Sequence, residues 1–160
     1  MSAKKEEKTN VCRILDSKKI AYTYRQFDTE ETNGMALASL LGQEPRRVFK
    51  TLVTVGKSKE HYVFVIPVCA ELDLKKAAKA VGEKSIDMIP QKELLPLTGY
   101  VHGGCSPIGM KKSFQTVIHL TAEEFDTIFF SAGKIGCQIE MSAEDLAKVI
   151  RCEMKDLIVE

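Results

Sequence analysis

Residues 48–68 read VFKTLVTVGKSKEHYVFVIPV, and the fold is decided here. Two runs of β-branched and aromatic residues, 48–55 and 61–68, flank Gly56-Lys57-Ser58-Lys59-Glu60, five polar residues rich in turn formers. This is the signature of a β-hairpin. Neither run alternates cleanly between apolar and polar positions, so much of the hairpin is expected to be buried on both faces. Lys50 breaks the first run. An ammonium among apolar neighbours is costly unless it points to a pocket or a partner, so Lys50 is either a binding residue or a strand-edge surface lysine.

Working outward, Thr9 or Asn10 is placed to cap a helix running to Lys19, and Tyr22, Tyr24 and Phe27 read as a strand. A polar loop over residues 28–34 precedes a helix over 35–41 that Gly42 stops. Beyond the hairpin, Asp73 caps a helix over 74–81 closed by Gly82, with Lys75, Lys76 and Lys79 forming a basic stripe. That stripe reads as a solvated face or as a polyanion contact. A strand is expected over 85–89, a helix over 90–97, strands over 116–120, 127–131 and 138–141, and a helical turn over 122–126. Ser142 with Asp145 three residues later opens a last helix extending to Cys152. Hairpins and helices mix without regular alternation, which predicts an α+β fold with a mixed sheet or barrel and not a doubly wound nucleotide-binding sheet.

At 160 residues one domain is expected, covering 9–160 behind a disordered leader over 1–8, with enough chain to bury a core without disulfides or metal. The 23 basic and 22 acidic side chains leave a net charge of +1, so the whole molecule exerts no general attraction on DNA, RNA or anionic lipid, and any polyanion contact must be local. The longest strongly apolar run, residues 63–70, is far short of the about 20 residues that span a bilayer. The charged leader lacks the apolar stretch of a signal peptide, so the cytoplasm is the expected compartment. Five cysteines without a Cys-x-x-Cys pair, and three scattered histidines, read as reduced thiols without a metal centre.

The second informative stretch is GGCSPIGMKK, residues 103–112. Glycines let backbone approach a ligand, Pro107 stiffens the turn, and its amides with Lys111 and Lys112 can hold an anion or a carbonyl oxygen. A plain Gly/Pro surface turn with a solvated lysine pair is the competing reading. Gly104 and Gly109 have the spacing of a nucleotide phosphate loop, but Met110 separates the last glycine from Lys111, which breaks that register. Cys105 beside His102 is a candidate nucleophile or a small space-filler; no Gly-x-Ser-x-Gly elbow surrounds Ser106. The role of His102 is open between structural support and substrate contact.

Five segments in order, Phe49-Lys50-Thr51-Leu52, Glu71-Leu72-Asp73-Leu74-Lys75-Lys76, Thr98-Gly99-Tyr100, residues 103–109 and Ser131-Ala132-Gly133-Lys134, together resemble the YbaK/EbsC family. That family comprises aminoacyl-tRNA deacylases and the editing domain of bacterial prolyl-tRNA synthetases, and the resemblance is strongest to its Cys-tRNA(Pro) deacylase branch. It implies a pseudo-barrel of mixed strands surrounded by helices, with a cleft for the aminoacylated acceptor end of tRNA and no cofactor. Lys50 is then the residue that holds the terminal ribose-phosphate or ester, Gly103 the loop glycine near the carbonyl, and Ser106 its neighbour in the catalytic loop. Tyr100, Gly104 and Cys105 fall on the substrate pocket, and Lys75, Lys76, Lys111, Lys112 and Lys134 on the path of the tRNA backbone. Phe27 stands where the family has a tyrosine, Gly34 where it has an aromatic, and Gln138 where it has an acid. Phe27 and Gln138 thus count among the substrate contacts, with amino-acid selectivity in question. The resemblance further implies self-cleavage, the substrate's cysteine thiolate attacking its own ester carbonyl, and association with prolyl-tRNA synthetase. The rival expectations are a deacylase of alanyl or another small aminoacyl ester using bound water, and a binding module for tRNA ends without catalysis.

Overall fold

The computed structural model describes residues 8–160; the expected leader lies outside them except for Lys8, whose ammonium meets Asp16 at 2.8 Å. The central hairpin forms as its sequence predicts, β2 (Phe49–Gly56) running antiparallel to β3 (His61–Pro67). Its odd-numbered residues Phe49, Val53, Val63 and Val65 enter the main core, whereas Phe64 and Ile66 enter a second core. Burial on both faces is thus the reason the hairpin lacks alternation.

Around it the chain adds helix α1 (Asn10–Ser17), strand β1 (Thr23–Gln26) and helix α2 (Gly34–Leu41). Helix α3 (Leu74–Val81), strand β4 (Ile86–Met88) and the short helix α4 (Leu94–Thr98) follow. Strands β5 (Gln115–His119), β6 (Ile128–Ser131) and β7 (Cys137–Met141), helix α5 (Ala143–Val149) and strand β8 (Cys152–Lys155) complete it. Four helices start where their capping residues dictate. Thr9, Asn33, Asp73 and Ser142 each accept backbone N–H groups of the first turn, contacts each worth about 1 kcal/mol.

Strands form two sheets, β1-β7-β6 and β4-β2-β3-β5-β8, the latter antiparallel across the hairpin and β4, and parallel from β3 through β5 to β8. A parallel bridge between Val48 and Phe129 ties the sheets, which enclose the main core as a mixed-strand pseudo-barrel. The α+β expectation holds. Two details differ. The expected turn over 122–126 is a 3-10 segment at Leu120–Glu124, and the last helix stops at Val149, so that residues 152–155 become β8. The apolar spacing does not fix that strand; its parallel partner β5 does.

Strand β2 serves both sheets on one edge. Hydrogen bonds from Val68 N–H to the Val48 carbonyl and from Gly56 N–H to the Glu60 carbonyl lie at the ends of one register. In an antiparallel ladder this assigns the even-numbered residues to β3 and turns the backbone groups of Phe49, Thr51 and Val53 toward the other edge. There β4 pairs only with residues 54–56, and the backbone bridge to β6 is at Val48, just before the strand. The edge around Lys50 and Thr51 is left without a paired strand.

The residues after β8 are strapped to α3. Leu157 accepts from Asp73 N–H at 2.8 Å and donates its own N–H to Nδ1 of buried His119 at 3.1 Å. Lys76 reaches Asp156 at 2.9 Å and the Ile158 carbonyl at 2.8 Å. Burial holds the His119 pKa below its usual value, against the opposing pull of Asp156, and Nδ1 must stay unprotonated to accept. The unfolded chain therefore takes up a proton near pH 6.5 that the folded chain refuses, and stability falls as pH drops below that value. Thermal melts between pH 7.5 and 5 are expected to show a decline in Tm that His119→Gln abolishes; parallel profiles for both proteins would refute it.

Candidate active site

The gap beside β2 opens into a cavity of about 150 Å³ between the hairpin, the start of α2 and the 102–105 loop. Its apolar wall comes from Leu37, Val48, Phe49, Leu52 and Val68, and its polar groups from Lys50, Thr51, His102, Ser131 and Gln138. No Asp or Glu lines it. The Lys50 ammonium has no ion pair or hydrogen bond among the described residues, so it is available to an incoming anion or carbonyl.

The wall holding Lys50 is fixed by Arg47. Its guanidinium donates to the Thr127 carbonyl at 2.8 Å, to Gln43 at 3.0 Å, to Glu140 at 3.2 Å and to the Thr127 hydroxyl, and lies 5.2 Å above the Phe129 ring. Planar, multidentate binding of this kind locks the start of β2 onto β6 and β7.

The glycine loop forms the opposite wall. Gly103 has φ +86°, and a Cβ there would lie 2.4 Å from Thr32 Cγ2, so both conformation and space require glycine. Gly104 donates its N–H to the Val101 carbonyl, and a Cβ would come 3.1 Å from the Ile135 nitrogen. The amides of Gly103 and Cys105, both on the lining, have no hydrogen-bond partner among the described residues.

Several residues singled out in the sequence lie elsewhere. Ser106 is fully buried and its hydroxyl accepts from Ile108 N–H at 3.3 Å; it shapes the loop from behind and does not line the cavity. Tyr100 also stands behind the loop, donating its hydroxyl to the Ile108 carbonyl and packing on Gly133, where a Cβ would come within 2.9 Å of the ring. Burial pushes its pKa up to about 12. Phe27 packs with Val48 and Val68, backing the apolar wall. Lys75, Lys111, Lys112 and Lys134 are exposed, and Lys76, partly exposed, is bound to Asp156 and the Ile158 carbonyl. Thr51, Leu37 and Val68 were given no role by the sequence; a threonine in a β-branched strand and two aliphatics carry no signal that separates a cavity wall from core.

Cys105 does reach the cavity, yet burial pushes its thiol pKa up to about 12, the opposite of what a nucleophile requires. Among the described residues no group of three His, Cys, Asp or Glu side chains is arranged to hold a metal ion.

The fold is a small mixed-strand barrel with an edge cavity, one unpaired lysine and a glycine-built wall. The chain belongs to the aminoacyl-tRNA editing domain family, which residues 31–149 match. It is 43% identical over 156 residues to Enterococcus faecalis EbsC, whose name assigns it as a Cys-tRNA(Pro)/Cys-tRNA(Cys) deacylase, covering 96% of this chain and 95% of that protein. Among solved structures it resembles a hypothetical protein (TM-score 0.88, 18% identity, covering 94% of this chain and 100% of the other). It also resembles a protein assigned as a trans-editing enzyme for prolyl-tRNA synthetase (TM-score 0.83, 20% identity, covering 95% and 99%). At those identities the two structures share the fold.

Two outcomes test this geometry. At pH 8, iodoacetamide should modify exposed Cys69 while Cys105 stays unmodified by mass spectrometry; rapid labelling of Cys105 contradicts its assignment as an inert thiol. Gly103→Ala should cost about 1 to 2 kcal/mol from the left-handed backbone alone, read by denaturant unfolding, with further loss from the Thr32 clash.

Proposed function

We propose that this chain deacylates mischarged Cys-tRNA(Pro), as one editing domain over residues 9–160, and that it does so in the cytoplasm. Family membership and the likeness to EbsC support the reaction class. The observation that carries the mechanism is the cavity's content: an unpaired lysine, two unpartnered loop amides and no competent nucleophile.

In this reading Lys50 holds the ribose-phosphate end and orients the ester, an entropic contribution. The substrate's own thiolate attacks the carbonyl carbon, forming a C–S bond. The amides of Gly103 and Cys105 support the developing oxyanion. The ester C–O bond then breaks, the departing ribose oxygen takes a proton from solvent water, and tRNA leaves. The four-membered thiolactone opens with a second water to give free cysteine. The first step is that of a lyase, and the overall outcome is ester hydrolysis.

Exposed Lys75, Lys111, Lys112 and Lys134 are proposed to follow the tRNA backbone, a sequence-independent contact that weakens with salt. With a net charge of only +1, additional affinity is assigned to a prolyl-tRNA synthetase partner.

Deacylation of Cys-tRNA(Pro), Ala-tRNA(Pro) and Pro-tRNA(Pro) by wild type and Lys50→Ala tests the reading. Loss of cysteine alone, abolished by the substitution, is expected. A seryl ester, lacking the thiol, should react at least about 100-fold more slowly, a barrier difference of about 2.7 kcal/mol. Comparable seryl and cysteinyl rates would replace the thiol mechanism with bound water, and tRNA binding without release of any amino acid would leave a binding module.

A further inference from the structure

The cavity wall contains two buried side-chain oxygens that have no hydrogen-bond partner, Thr51 Oγ1 on β2 and Gln138 Oε1 on β7. Gln138 is only 3% exposed, so its carbonyl oxygen meets neither bulk water nor a protein donor. The hydroxyl of Ser131 on this wall differs: Ser131, paired with Gln138 in the β6–β7 register, accepts from Gly133 N–H at 3.1 Å. Arg25, opposite Gln138 on β1, has a buried Nε that is also unpartnered, but it makes no bond to the amide and does not line the cavity.

Native proteins rarely bury polar atoms unsatisfied, and two acceptors in one cavity point to a ligand bearing hydrogen-bond donors. The cavity has a fixed cation in Lys50 and no carboxylate, so the complementary group must be bound by neutral acceptors. An aminoacyl ester carries one group of that kind, its α-amino nitrogen, a multiple N–H donor with a pKa close to 8. Neutral oxygens accept from it whether it is protonated or not. The thiol is the poorer fit, because S–H donates weakly and must be ionised to attack.

Resting on the deacylase reading above, we propose that Thr51 Oγ1 and Gln138 Oε1 form an α-amino subsite that accepts only a free amino terminus. The enzyme then distinguishes aminoacyl-tRNA from N-formylated and peptidyl-tRNA, sparing chains under synthesis.

Three non-hydrolysable amides test this by calorimetry: 3′-cysteinylamino-3′-deoxyadenosine, its 3-mercaptopropionyl counterpart lacking the amino group, and the alanyl counterpart lacking the thiol. Wild type should bind the des-amino ligand about 10- to 100-fold more weakly than the cysteinyl one, as expected for losing hydrogen bonds to a charged group. Gln138→Met and Thr51→Val, with folding verified by thermal melts, should bind cysteinyl and des-amino ligands alike. Equal binding of those two by wild type, or a preference retained in both variants, overturns the subsite. So does a Gln138→Met effect that follows the thiol instead of the amine, or one confined to stability, which would make Gln138 a partner of Arg25. Failure of wild type to bind any of the three strikes the deacylase reading itself.

Discussion

Everything in this molecule depends on one strand edge being asked to serve two sheets. Strand β2 gives its full length to β3 on one side, but on the other only its end to β4, while Val48 just before it bridges to β6. The unpaired stretch between them borders the cavity. The Arg47 cluster makes the arrangement rigid by binding the entrance of β2 to Thr127 and Glu140. The opening at Lys50 is therefore enforced by hydrogen bonding on either side of it, and does not require the surrounding backbone to be soft.

That geometry agrees with the proposed reaction, in which the substrate brings its own nucleophile. The lining holds a cation, the backbone of the glycine loop and neutral side-chain oxygens. Behind the glycine loop, Tyr100 donates its hydroxyl to the Ile108 carbonyl and Ser106 accepts from the Ile108 N–H, so the loop's shape is determined from the buried side. The groups facing the cavity are mostly backbone or chemically quiet.

Elements specified by neighbours in sequence were legible. The hairpin, with five turn residues between apolar runs, and α3, bracketed by Asp73 and Gly82, appear where the residues put them. Strand β8 was not, because Cys152-Glu153-Met154-Lys155 has apolar spacing too short to compete with the helix before it and acquires its conformation from β5, far earlier in the chain. The site divides along the same line. Lys50 stands out as a charge within an apolar strand, and the glycine loop as a composition found in few other places. Gln138 was reached only through family resemblance, and Thr51 not at all, since what distinguishes them is the missing hydrogen-bond partner, a property of the assembled fold. Lys76 lies on a helix that the sequence specifies, but the acceptor it binds, about 80 residues away, is visible only in the assembled fold.

The parallel half of the larger sheet also sets an order of assembly. The β2–β3 hairpin closes through a short turn and can form as soon as it is synthesised, whereas β8 pairs with β5 only when residue 155 is free to reach it. Emerging from a ribosome, the chain must hold the edge of β5 that awaits β8 unpaired, on a strand whose Val117 and Ile118 serve the two cores on its opposite faces. Until that last strand arrives the nascent chain offers an unpaired sheet edge to its surroundings, the state most exposed to chaperones and to aggregation.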